Sequence, residues 1–199
     1  MAAHRPPFTL QTAHEKVKAA QALWNTRYSS PPSPPNPQPH SLCPRQLATK
    51  HPHTQSSSTE PLLIKIQTRT PLTRDPTKIT LAYTPTSTWR NRSAFLKGHA
   101  QIQTFLTQKW EKEKSYKLRK EFFSTTDNKI AVQFWYEYRD AHDSMKWKRC
   151  YGIEHWTFAE DGKMEKRQMS GNDVEIGEEG RWFREGVDVD GVELGERDF

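Results

Sequence analysis

Residues 128–158 constrain the fold of this chain more than any other stretch. They hold two runs, Lys129-Ile-Ala-Val-Gln-Phe-Trp-Tyr-Glu-Tyr-Arg139 and Lys146-Trp-Lys-Arg-Cys-Tyr-Gly-Ile-Glu-His-Trp-Thr-Phe158, separated by Asp140-Ala-His-Asp-Ser144. Aromatic and β-branched residues fill both runs and polar residues bound them, the pattern of two long strands in a hairpin. In the first run Ile130, Val132, Phe134, Tyr136 and Tyr138 share one face, while Ala131, Gln133, Trp135 and Glu137 share the other. A sheet face lined with aromatics needs a layer across it, and the N-terminal segments are the available cover.

The composition divides the chain. Its 199 residues are 33% hydrophobic, low for a wholly folded chain, yet seven Trp, nine Phe and six Tyr are ample for a core. Residues 28–74 account for the dilution, with ten of the fourteen prolines and neither Trp nor Phe. Their low complexity and Pro-Pro repeats predict a disordered insertion, with Leu62-Leu-Ile-Lys-Ile66 as the single apolar cluster. Closing so long a loop in place of a short one costs roughly 2 kcal/mol, which a stable domain can carry. Of the net charge of +6, the tract holds +4 and the rest of the chain only +2. A nucleic-acid reader concentrates basic charge on its folded part, so this distribution argues against nucleic acid. Cys43 and Cys150 have neither metal-ligand spacing nor a disulfide framework, and no pattern calls for a cofactor. With no signal-peptide or membrane-spanning run, the expectation is a soluble, cytoplasmic protein.

Along the chain, Thr12-Ala-His-Glu15 reads as a capping box opening a helix whose stripe is Ala13, Val17, Ala20 and Trp24. After the tract, Asp75-Pro76 starts a short helix with Ile79, Ala82 and Tyr83, which Pro85 ends. Residues 87–92 read as a short strand. A longer helix follows Gly98-His99, with Ile102, Phe105, Leu106 and Trp110 on one side. Four strands complete the pattern, at 116–124, 129–139, 146–158 and 163–170. Helices first and an antiparallel meander afterwards make the class α+β. The expected organisation is residues 1–27 and 75–184 as one domain, 28–74 as the insertion and 185–199 as a loose acidic tail.

Residues on both sides of the tract carry a family likeness. Pro6-Pro-Phe8, Trp24-Asn-Thr-Arg27, Leu81-Ala-Tyr-Thr84, Trp89-Arg-Asn-Arg92, Phe95-Leu-Lys-Gly98 and Phe105-Leu-Thr-Gln-Lys-Trp110 are part of it. Asn128-Lys-Ile-Ala-Val132, Tyr151-Gly152, Glu154, Trp156 and Ser170-Gly-Asn-Asp173 complete it. The chain resembles the nuclear transport factor 2-like superfamily, close to its SnoaL-like branch, and more narrowly the domain-of-unknown-function family numbered 1348. The resemblance implies three helices against a strongly curved antiparallel sheet, forming a cone with a small-molecule pocket. In relatives the Trp-Asn-Thr-Arg end runs straight into Asp-Pro, so residues 28–74 read as an insertion, or as non-coding sequence carried into the protein.

Within that frame, the parity of Trp156 and Phe158 brings Glu154, Gly152 and Cys150 inward. A carboxylate among aromatics is desolvated, which raises its pKa and makes Glu154 a candidate acid/base for a hydrolase, isomerase or cyclase. The structural alternative is Glu154 paired with Arg167. Trp89, Trp110, Tyr136 and Trp156 are candidate walls for a small apolar or aromatic ligand, with plain core the more frequent role for such residues. Asn91 and Asn172 could orient it, and Arg167 could clamp an anion. Enzymatic relatives often carry an Asp where this chain reads Trp89-Arg-Asn-Arg92, and the nearer family has two Asn where Ile153 and His155 stand here. Those departures favour the other reading, a non-catalytic binding module that homodimerises through the outer sheet face at Trp135 and Tyr151.

Overall fold

The computed structural model describes residues 4–26, 28–29 and 72–194. The chain divides into a main unit, Met1–Tyr28 with Arg74–Phe199, and a second unit, Ser29–Thr73. The expected disordered tract lies outside the described residues except at its ends. There β1 (Tyr28–Ser29) and β2 (Leu72–Thr73) make a separate two-stranded sheet. Arg74, expected as the last residue of the tract, belongs to the main unit and donates to the carbonyls of Trp24 (3.1 Å) and Tyr116 (2.7 Å).

Helix α1 (Leu10–Asn25) starts earlier than the expected Thr12 cap. Thr9 is the N-cap: its hydroxyl accepts from the Thr12 amide (3.2 Å), and the Thr12 hydroxyl accepts from the Thr9 amide (3.0 Å). Two threonines reciprocate as Thr and Glu would, and the earlier cap gains most of a turn. Helix α2 (Pro76–Thr80) opens on Asp75 as expected but stops before Ala82 and Tyr83, because β3 (Tyr83–Asn91) already begins there. Pro85 sits within β3, and the pairing of that strand is irregular between Tyr83 and Thr88. Arg92, in the left-handed region at φ 55°, turns the chain into β4 (Ala94–Lys97), which leads into α3 (Gly98–Lys112).

Four long strands follow: β5 (Glu113–Thr126), β6 (Lys129–Asp140), β7 (Lys146–Phe158) and β8 (Met164–Ile176). The architecture is α+β, with three α-helices and a six-stranded sheet among the described residues, the strands in the order β4-β3-β8-β7-β6-β5. Strands β5 to β8 form the expected antiparallel meander, but β3 runs parallel to β8, so the sheet is mixed. Three hairpin reversals after β5 leave β8 pointing the same way as β3. Register shifts in β5 at Lys114/Lys117 and Phe122/Ser124 are bulges, which bend a strand and increase its twist.

Alternation places the core. Ile130, Val132, Phe134, Tyr136 and Tyr138 of β6 are buried with Trp156 and Phe158 of β7, under Ala13, Val17, Trp24, Ile102 and Leu106 of the helices. Gly152 faces Phe134 across β6 and β7, and a Cβ there would meet the Phe134 ring at 2.2 Å. Helix α1 also closes the edge of the sheet. Gln21 accepts from the Lys120 amide (2.6 Å), Asn25 both accepts from the Leu118 amide (2.9 Å) and donates to its carbonyl (2.8 Å), and Lys18 donates to the Lys120 carbonyl (2.9 Å). Those bonds occupy the open backbone of β5, which would otherwise template another strand.

The C-terminal segment bears on two expectations. Residues 185–194, expected loose, carry a 3-10 turn at Val189–Gly191, and Asp190 accepts from Lys18 (2.8 Å) and Gln21 (3.0 Å). Upstream, the buried Glu137 accepts from the amides of Trp182 (2.8 Å) and Phe183 (3.0 Å) and from Arg149 (2.6 Å), with the Arg149 guanidinium 3.2 Å from the Trp182 ring centroid. This strap lies on the outer sheet face. Trp135, expected there as a dimer contact, is 1% exposed within the single chain, and Tyr151 packs edge-on to Trp182 at 6.0 Å. The expected interface residues are thus largely taken up by the chain itself.

Candidate functional site

The inner sheet face brings three charged side chains together in the core. Glu154 on β7 is 2% exposed, as its parity requires, and lies on the side of the sheet that faces α1. Lys120 on β5 occupies the inward series Tyr116, Leu118, Lys120, Phe122, and its Nζ donates to Glu154 Oε2 at 2.8 Å. Arg167 on β8, opposite Trp156 in register, donates through Nη2 to Glu154 Oε1. The Trp156 indole adds a bond to Glu154 Oε2 at 2.6 Å. Lys120 reaches this carboxylate across β6, over the Phe134 ring (5.2 Å) and beside the Trp156 ring (5.1 Å). Arg167 stacks near Trp89 (4.7 Å) and Trp24 (5.3 Å).

This geometry reverses the expected titration of Glu154. Burial alone would raise its carboxyl, but Arg167 and Lys120 outweigh burial and hold it at about 2. An ionised carboxylate with both oxygens bonded to donors is a weak base and holds no proton to give. Lys120 moves the other way: burial, with help from Arg167 and Lys109, overcomes the pull of Glu154 and brings its ammonium down to about 8. The group poised near neutrality is therefore the lysine, which the strand pattern alone did not single out. The available signal was a Lys at an inward position of β5, with an inward Glu two strands away.

A second cluster adjoins the first. Lys109 contacts Glu113 one turn along and donates to the Tyr136 hydroxyl at 3.3 Å. Arg92 also donates to Tyr136 (3.3 Å), to Cys150 Sγ (3.0 Å) and to Asp173 (2.6 Å). Burial raises the Glu113 carboxyl and lowers the Lys109 ammonium despite their contact, so this pair leans towards its neutral forms. Burial likewise pushes the Cys150 thiol up to about 12, which leaves it unreactive.

Between the clusters lies a hollow of about 10 Å³, bordered by Asn91, Lys109, Lys120, Tyr136, Glu154 and Arg167, with Trp24, Tyr116 and Phe134 as its aromatic wall. That volume suits about one water, far below the roughly 300 Å³ and upward of ordinary ligand pockets. Of the expected ligand residues, Asn91, Tyr136 and Arg167 border it. Trp89 and Trp110 are packed behind, next to Trp24 at 6.3 Å each, and Trp156 serves Glu154. Asn172 is exposed, paired with Tyr151 on the outer side of the sheet, and takes no part. Four buried donors, Arg167 Nη1, Trp89 Nε1, Trp110 Nε1 and, away from the hollow, Arg181 Nε, have no hydrogen-bond partner among the described residues. No group of three or more His, Cys, Asp or Glu among the described residues is arranged to hold a metal ion. None of the described helices is long and apolar enough to cross a membrane.

The fold and the site define a class of helix-covered sheet domain with a buried, donor-rich ionic cluster at its centre. The chain belongs to the family described as "Protein of unknown function (DUF1348)", whose model matches residues 52–184. The match begins inside the expected insertion and leaves α1 outside. Among solved structures, the chain is similar to an NTF2-like protein of unknown function from Burkholderia pseudomallei K96243, at 15% identity and TM-score 0.45, over 50% of this chain and 79% of the other. It is also similar to a putative SnoaL-like polyketide cyclase from Jannaschia sp. CCS1, at 14% identity and TM-score 0.45, over 49% and 72%. A type 2 hexachlorocyclohexane dehydrochlorinase matches at 10% identity and TM-score 0.47, over 57% and 83%. No curated protein sequence matches the chain. Likeness at this level carries no activity across.

Proposed function

We propose that the interior between the helices and the sheet binds a small molecule with an anionic head and an aromatic or apolar body. The observation that carries this reading is the excess of donors over acceptors. Lys120 and Arg167 share the one carboxylate of Glu154, and Arg167, which borders the hollow, keeps its buried Nη1 without a partner. A buried donor without an acceptor costs about 1–3 kcal/mol, so a ligand presenting carboxylate or enolate oxygens recovers that energy on binding. The aromatic wall of Trp24, Tyr116 and Phe134 suits the body of the ligand. Glu154 acts in this reading as the fixed counter-ion that keeps two cations inside the fold, in place of the acid/base expected from sequence. The closed hollow is smaller than any such ligand, so entry requires the aromatic wall to move and binding is slow.

Thermal unfolding of the full chain with a panel of small aromatic carboxylates and their neutral amides tests this. The expected result is stabilisation by the carboxylates alone, about 2.7 kcal/mol at a hundredfold excess over Kd. Equal effects of acids and amides, or none from either, would refute it.

A further inference from the structure

We propose that Lys120 is an imine-forming lysine that condenses with the carbonyl carbon of a small oxo acid whose carboxylate is held by Arg167. The inference rests on the binding reading above and adds the chemical class of the ligand. Lys120 is the only lysine bonded to Glu154 among the described residues, and its side chain is 2% exposed. Its amine borders the hollow together with Arg167, a cation that disfavours a second one beside it. Rings of Phe134 and Trp156 flank it and keep water away. Burial and neighbouring cations are the two devices by which a lysine is made nucleophilic at neutral pH. The fall of its ammonium to about 8 agrees with that placement.

The step balances without any oxidant or reductant. The ammonium releases a proton to solvent, and the Nζ lone pair forms a bond to the carbonyl carbon as the C=O π pair moves to oxygen. The carbinolamine oxygen takes up protons and leaves as water while the C=N bond forms. Overall, ammonium plus carbonyl gives protonated imine plus water, and charge is conserved. The imine keeps the positive charge that the Glu154 carboxylate already pairs, so product formation leaves no buried charge uncompensated. The orphan Arg167 Nη1 supplies a donor for the acid's carboxylate.

The test uses glyoxylate, the smallest oxo acid, with cyanoborohydride to trap the imine as carboxymethyl-lysine, and peptide mapping to locate it. Glycolate, which has a hydroxyl in place of the carbonyl, reports binding separately by thermal shift. The expected result is modification of Lys120 on the order of tenfold above any exposed lysine at neutral pH, because its neutral fraction is far larger. Lys120→Met should lose that adduct and keep the background. Wild-type mapping decides the question even if the variant fails to fold. Stabilisation by glycolate with Lys120 unmodified overturns the imine and leaves the binding reading standing. Adducts confined to surface lysines also overturn it. No shift from glycolate and no adduct at Lys120 overturns the imine, and the panel of aromatic carboxylates then decides the binding reading separately.

Discussion

Replacing Glu154 with Gln keeps the shape of the side chain and removes the charge that the cluster is built on. The carboxyl is held at about 2 against an ordinary 4.5. At about 1.4 kcal/mol per pH unit, that difference is worth about 3 kcal/mol to the folded state when the group is ionised. The stabilisation is fully present above pH 4.5 and is lost as pH falls towards 2. Glu154→Gln should therefore lower the unfolding free energy by about 3 kcal/mol at pH 7, in the range for breaking one side of a buried pair. The variant should also lose the part of the acid dependence between pH 4.5 and 2 that Glu154 contributes, while Asp140 and Asp190, also held low, keep theirs. Deprived of its anion, Lys120 should titrate below its present value of about 8. Urea unfolding of both proteins at pH 7 and at pH 3, followed by circular dichroism, measures all but the last. A variant within about 0.5 kcal/mol of wild type at both pH 7 and pH 3 would refute the reasoning, since surface substitutions behave that way.

Three further outcomes follow from the packing. Gly152→Ala should cost about 1–3 kcal/mol in chemical unfolding, because its Cβ would meet both the Phe134 ring and the Ser170 carbonyl, at 2.2 and 2.6 Å. Asn25→Ala should cost about 1–3 kcal/mol and speed hydrogen exchange at the Leu118 amide, whose acceptor it removes. Phe183→Ala should destabilise by about 3–5 kcal/mol if the strap is part of the fold, since that ring is fully buried; a tail that merely rests on the surface would show no change.

The two central strands are legible because alternation over a dozen residues fixes which side chains point inward, and every inward residue of β6 is buried. Glu154 is placed by the same rule. Its titration is not, because that depends on Lys120 and Arg167, which arrive from β5 and β8 by sheet pairing that local pattern does not specify. The parallel contact of β3 with β8 escapes for the same reason. Trp135 illustrates the limit on the other face. Parity puts it outward, and outward suggests a partner, yet it is 1% exposed within the chain, and on the same face Gly- and acid-rich residues with no periodicity supply a strap fastened by Glu137. The capping shift from Thr12 to Thr9 is a smaller case, in which two threonines at capping-box spacing compete with a Thr and a Glu.

The central claim is that the buried acid is a permanent anion and the buried amine is the group that titrates. Carbon-detected NMR of the Glu154 carboxyl and the Lys120 side chain across pH tests it most directly. The account predicts a carboxyl that stays ionised down to about pH 2 and an amine that changes near pH 8. A Glu154 that takes up its proton above pH 5, with Lys120 charged beyond pH 10, would contradict it.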